Sequence, residues 1–166
     1  MKNKITVMIG CLAFVVAINS CGQQKVDTKD NLSTNMVFPQ GEKVTSENFK
    51  GTVYLKMFIA GDSINPTSIG NVTFEPGART KWHLHPGGQI LLVIDGVGYY
   101  QEKGQSKKIL HKGDVIKCPP NVPHWHGASS DKHFVQVAVT NRHLGETVWL
   151  EEVTDEVYNK YCWCNQ

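Results

Sequence analysis

Five of the seven histidines in this 166-residue chain fall between His83 and His126. His83-Leu84-His85 sets two imidazoles two residues apart, and on a strand such residues point to the same face, so the pair could share one metal ion. Pro86-Gly87-Gly88 then reverses the chain, and Gln89 opens the next apolar run with an amide oxygen that could supply a third ligand. A fourth must come from elsewhere, and Pro123-His124-Trp125-His126 offers two more imidazoles on a common strand face. A lone histidine is explained by a structural hydrogen bond, whereas two His-x-His pairs framed by Gly and Pro turns point to a metal site. Mixed N and O donors with open positions suit Mn, Fe, Ni, Co or Zn, and the sequence does not choose among them.

These side chains need a rigid frame of short strands. Gly (15) and Pro (7) recur between short apolar runs, which favours an all-β architecture over a helical bundle. Strands are expected at 53–59, at 71–74, over 89–100 with a break at Asp95-Gly96, and at 114–118. The segment 133–140 alternates two faces, with Phe134, Gln136, Ala138 and Thr140 on one and Val135, Val137 and Val139 on the other. Strands at this spacing suggest a closed sandwich or jelly roll. Only the tail from Thr154 to Tyr161 reads as helical, with Thr154 as N-cap and Asp155 and Glu156 in the first turn. Trp82, Leu84 and Trp125 alternate with the histidines and are expected to pack. Cys118 is expected in the core, Arg79 at a turn, and His111, His133 and His143 at the surface.

The order of these residues resembles the two motifs of the cupins. Gly77, His83, His85 and Gly96 match the first, with Gln89 where glutamate is usual; Gly113, Pro119 and His124 match the second, with Asn121 for glycine and Ala128 for asparagine. The resemblance implies a double-stranded β-helix, a jelly-roll barrel with the metal inside, and a short C-terminal helix completes the expected fold. A narrower likeness runs from about Val37 to Tyr158. Glu75-Pro-Gly-Ala-Arg-Thr80, His83 to Gln89, Gly113-Asp-Val115 and His124-Trp-His-Gly-Ala128 look like small bacterial cupins often described as carboxymuconolactone decarboxylase-related, some of them manganese-dependent hydroxynitrile lyases. That likeness implies one divalent ion, Mn favoured, on His83, His85, Gln89 and His124. It also implies a catalytic role for His126, and a second catalytic histidine of the lyases falls on Gln136. Gln136 does not titrate near neutral pH, so its amide could orient a substrate without accepting a proton, and weak or no hydroxynitrile lyase activity is expected.

Three imidazoles and an amide are all neutral, so a divalent ion held by them keeps its full charge and polarises a bound oxygen strongly. His126, on the face of His124, is a candidate general acid or base, with a structural hydrogen bond as the alternative. Two functions follow: a metal-dependent enzyme of lyase, isomerase or dioxygenase type acting on a small oxygenated molecule, or a non-catalytic cupin that captures or senses a small ligand at the cell surface. Fold alone does not separate them.

The first twenty residues read as a signal peptide: Lys2 and Lys4, an apolar run from Val7 to Ile18, then Ile18-Asn19-Ser20-Cys21. This resembles the lipobox of bacterial lipoproteins, which implies cleavage before Cys21 and its lipidation. The apolar run is shorter than the ~20 residues a membrane-spanning helix requires. Residues 21–36 read as a polar tether with a reach of roughly 20 Å, and 37–166 as the cupin domain. The expected location is therefore periplasmic or outer-membrane-anchored, with the membrane met only through the lipid. Once Lys2 and Lys4 are set aside the remaining basic residues balance the 15 acidic ones, which argues against nucleic acid as a partner. A homodimer is expected from the habit of small cupins. Cys162-Trp163-Cys164 could be an oxidised pair or a soft-metal site, or simply a frayed end.

Overall fold

The computed structural model describes residues 36–160. The segments read as signal peptide and, for nearly all of its length, as tether, with Cys21, Cys162 and Cys164, lie outside the described residues. Twelve strands and one helix follow in order: β1 (Glu42–Lys43), β2 (Phe49–Lys50), β3 (Val53–Ile59), β4 (Thr67–Phe74), β5 (Arg79–Thr80), β6 (His83–Leu84), β7 (Gln89–Glu102), β8 (Lys108–His111), β9 (Val115–Cys118), β10 (His124–Ala128), β11 (Phe134–Asn141), β12 (Val148–Trp149) and α1 (Asp155–Asn159). This is the expected all-β cupin barrel with a minor C-terminal helix.

Neighbouring strands run β1-β3-β4-β11-β7-β10-β5-β2, all antiparallel along this path. The 14-residue β7 joins the two halves of the barrel. Its first part pairs with β11 and β9, and its last part with β10 and β8. The break expected at Asp95-Gly96 is instead a β-bulge within one strand, where Val135 faces Asp95 but Gln136 faces Val93. Such an extra residue bends a strand and increases its twist, which lets β7 serve both halves. Glycine is required beside it, because Gly96 has φ +78° and a Cβ there would lie 2.0 Å from the His133 carbonyl oxygen.

Alternation along β11 falls as expected: Phe134, Gln136, Ala138 and Thr140 point into the barrel. Facing them across β4 stand Phe74, Val72, Gly70 and Ser68. Phe74 and Phe134 join Val53, Leu91, Val93, Tyr100 and Cys118 in the buried core. A second apolar layer lies outside the barrel, where Trp82, Trp125, Val153 and Tyr158 pack together. It exists because β10 alternates, sending His124 and His126 inward and Trp125 outward.

Thr154 caps α1 as expected, its hydroxyl accepting from the Val157 N–H at 3.2 Å. Arg79 does more than hold a turn. Its buried guanidinium donates to the Val153 carbonyl at 3.2 and 3.0 Å and to Asp155 at 2.5 Å, and it lies over the Tyr158 ring, so it ties the C-terminal segment to the barrel. His133 also departs from the surface role expected of it, sharing a hydrogen bond with Asp95 at 3.2 Å beside the bulge. His111 and His143 are exposed.

Candidate metal centre and its cavity

His83, on β6, pairs directly with His124, on β10, across the sheet. His85 follows β6 by one residue, and one ligand atom from each of the three imidazoles lies within 4.8 Å of the other two. The rings are buried, at 2%, 4% and 0% exposure for His83, His85 and His124, so each must have its nitrogens satisfied. One nitrogen of each is. Nδ1 of His83 meets the Lys81 carbonyl at 2.9 Å, Nδ1 of His124 meets the Val122 carbonyl at 2.9 Å, and Nδ1 of His85 meets the Thr147 hydroxyl at 3.1 Å. A carbonyl accepts only, so Nδ1 carries the proton in His83 and His124 and Nε2 keeps its lone pair for the site.

The Nε2 atoms of His85 and His124 are buried without a hydrogen-bond partner. Lone pairs gathered in this way fit a divalent cation, which would supply the missing partner. Burial pushes all three imidazoles below their ordinary protonation range, neighbouring histidines add to the effect at His83 and His85, and His85 falls to about 3. They are therefore neutral at neutral pH, the state metal binding requires.

Gln89 opens β7 and lines the same cavity. Its amide nitrogen donates to the Thr140 hydroxyl at 2.8 Å, which leaves Oε1 as the atom that could serve as a metal ligand. The turn that brings β10 back also explains a departure from the cupin pattern. Asn121 stands where glycine is usual and has φ +60°, a conformation that asparagine tolerates better than most residues.

His126 lies beside the three imidazoles, its ring centroid 5.2 Å from that of His83 and 6.1 Å from that of His124, with Phe74 edge-on at 5.8 Å. Its Nδ1 is 3.0 Å from the Gln136 amide nitrogen, which donates to it. The ring proton then sits on Nε2, which is buried and has no partner. Burial and the nearby histidines hold the imidazolium form of His126 well below its usual range. Gln136 is fully buried and is not part of the cavity wall. Rather than reaching a substrate, as expected from the sequence, it backs His126.

The cavity has a volume of about 130 Å³ and lies beside the imidazoles, lined also by Phe49, Leu55, Met57, Gly70, Val72 and Trp149. It is smaller than the ~300–1,000 Å³ usual for drug-sized ligands. Three of its contacts were missed by sequence reasoning. Thr147 holds His85, Trp149 lies with its ring 4.9 Å from that of His83, and Arg142 places a positive charge near His85. All come from the segment after β11, and no spacing signal connects them to the histidines.

Barrel topology and an inward-facing histidine cluster define a cupin, and the chain belongs to that family: residues 70–140 match the cupin domain model. It is similar to an (R)-mandelonitrile lyase of Granulicella tundricola, 41% identical over 113 residues, covering 68% of this chain and 86% of the relative. A cupin-like protein of Thermotoga maritima superposes with a TM-score of 0.72 at 48% identity, covering 75% of this chain and 95% of that one. A cupin-2 domain protein of Rhodospirillum rubrum, with TM-score 0.58 and 14% identity over 75% of this chain and 89% of that one, shares the fold.

Proposed function

We propose that this protein is a metal-dependent enzyme of lyase type that acts on a small oxygenated organic molecule, with His83, His85, Gln89 and His124 holding one divalent ion, manganese by preference. The observation that carries this reading is the partnerless Nε2–H of His126, buried beside three imidazoles whose own lone pairs converge. A divalent ion bound there would supply Lewis acidity to a substrate oxygen. His126 holds the proton at Nε2 and can present it to an anion that develops on the substrate. Gln136 fixes that tautomer and is thus a positioning residue. Burial keeps His126 neutral, and the apolar wall limits water. The kinship with a protein named (R)-mandelonitrile lyase supports the lyase type, and Gln136 is the departure that sets this chain apart from the lyases it resembles.

Elemental analysis of the mature protein, followed by a screen of cyanohydrins and hydroxy-carbonyl compounds, tests the reading. His126→Ala is expected to lower turnover ~10²- to 10⁴-fold with metal content intact. Mandelonitrile cleavage is expected to be weak in the wild type and to rise in manganese-loaded Gln136→His. A protein that holds no divalent ion, or a His126→Ala variant as active as the parent, refutes the proposal. A surface location through a lipid on Cys21 belongs to the same reading. Labelled fatty acid should enter the parent and not Cys21→Ala, and equal membrane retention of both would refute it.

A further inference from the structure

Among the described residues, one side chain in the cavity wall carries a permanent formal charge, Arg142, and no carboxylate lines it. Arg142 is held in place independently of any ligand. Its backbone N–H donates to the Pro66 carbonyl at 2.9 Å, and its Nε donates to the Ser68 hydroxyl, also at 2.9 Å. Nη1 turns outward to Glu146, whose side chain is 81% exposed, and Nη2 has no hydrogen-bond partner among the described residues. An exposed ion pair of this kind holds weakly, so the guanidinium can exchange Glu146 for another carboxylate. Phe49, Leu55, Met57 and Trp149 supply apolar surface in the same cavity.

We propose that the site takes a small carboxylate with an apolar substituent, and that Arg142 selects its charge through the planar pairing that guanidinium makes with carboxylate. A 2-hydroxy carboxylate meets both features, its charge answered by Arg142 and its hydroxyl free to face the imidazoles. The inference rests on the lyase-type reading only in placing the substrate in this cavity.

The test compares lactate with lactamide, which differ in charge and little in shape, by titration calorimetry on the mature protein with and without manganese. Lactate is expected to bind at least ~10-fold more tightly than lactamide in the wild type. Arg142→Gln should remove most of that preference, weakening lactate much more than lactamide. Arg142→Lys, which keeps the charge, should retain part of it, and Glu146→Gln should tighten lactate by up to about 5-fold. Equal binding of lactate and lactamide by the wild type overturns the proposal whether or not any variant folds. An undiminished preference in folded Arg142→Gln also overturns it. A preference that depends on Arg142 in metal-free protein upholds it even where no turnover is found. Brisk turnover of neutral cyanohydrins without a carboxylate preference defeats this inference and leaves the lyase-type reading standing.

Discussion

The two ends of the barrel interior are built on the same strands and differ in almost everything else. At one end the cross-strand pair of β4 and β11 is Phe74 with Phe134, whose rings lie 6.2 Å apart; two steps along it is Val72 with Gln136, then Gly70 with Ala138, and at the far end Ser68 with Thr140. Side chains shrink and become polar along one face of two paired strands. The large end fills its space with apolar contacts and closes, while the small end leaves room for a cavity. Some polar groups at the open end pair with one another, Thr140 accepting from Gln89, Ser68 from Arg142, and Gln136 donating to His126, while the Nε2 atoms of His85, His124 and His126 stay without a partner among the described residues. Stability sits in the size of side chains at one end, and chemistry sits in the hydrogen-bond partners at the other.

The largest expected effect comes from breaking the closed end. Phe134→Ala should lower the unfolding free energy by about 3–5 kcal/mol in denaturant titrations, because a fully buried ring leaves a cavity that the barrel refills only in part. Folded molecules of that variant should still bind manganese. At the open end the double variant His83→Ala, His124→Ala should do the reverse, losing the ion with less cost to the metal-free fold. The wild type should gain about 2.7 kcal/mol from manganese at a hundred times its Kd. The variant should show no such thermal shift.

Acid sharpens the contrast further. Burial depresses the four inward imidazoles, so the unfolded chain takes up protons, at an ordinary value of 6.5, that the folded site refuses. Stability is therefore complete above about pH 6.5 and is lost progressively as pH falls toward the folded values, about 3 for His85. By pH 5 His85 alone accounts for about 2 kcal/mol of that loss. Denaturation of metal-free protein at pH 7.5 and pH 5.0 should show it, and His85→Gln should flatten the dependence. A pH-independent midpoint would contradict the burial of neutral rings. The smallest expected change is at Thr140. Thr140→Val leaves the Gln89 amide nitrogen without its acceptor, so manganese affinity should weaken ~10-fold with little effect on the closed end.

Much of this was readable before any coordinates. The His-x-His spacing, the glycines that flank it, the alternation along 133–140 and the Thr154 cap are local patterns, and local patterns report which residues share a face. The cupin resemblance then supplied the barrel and the expected ligand set. The bulge was not readable, because Asp95-Gly96 reads as a turn and only pairing with β11 on one side shows that the strand continues. The anchoring role of Arg79 was equally hidden, since its partners Val153 and Asp155 lie 74 and 76 residues away.

By itself, then, the sequence determined that the chain is a β-rich cupin, which face of each strand is apolar, and which side chains are suited to hold a metal ion. Tertiary structure decided what surrounds them. Thr147 reaches His85 across 62 residues, Trp149 lies against His83, Arg142 enters the cavity wall, and Gln136 backs His126 instead of lining the cavity. The physical reason is one of range: periodicity of 2 fixes the side to which a residue points, but only the closure of the sheet fixes which other residue it meets there.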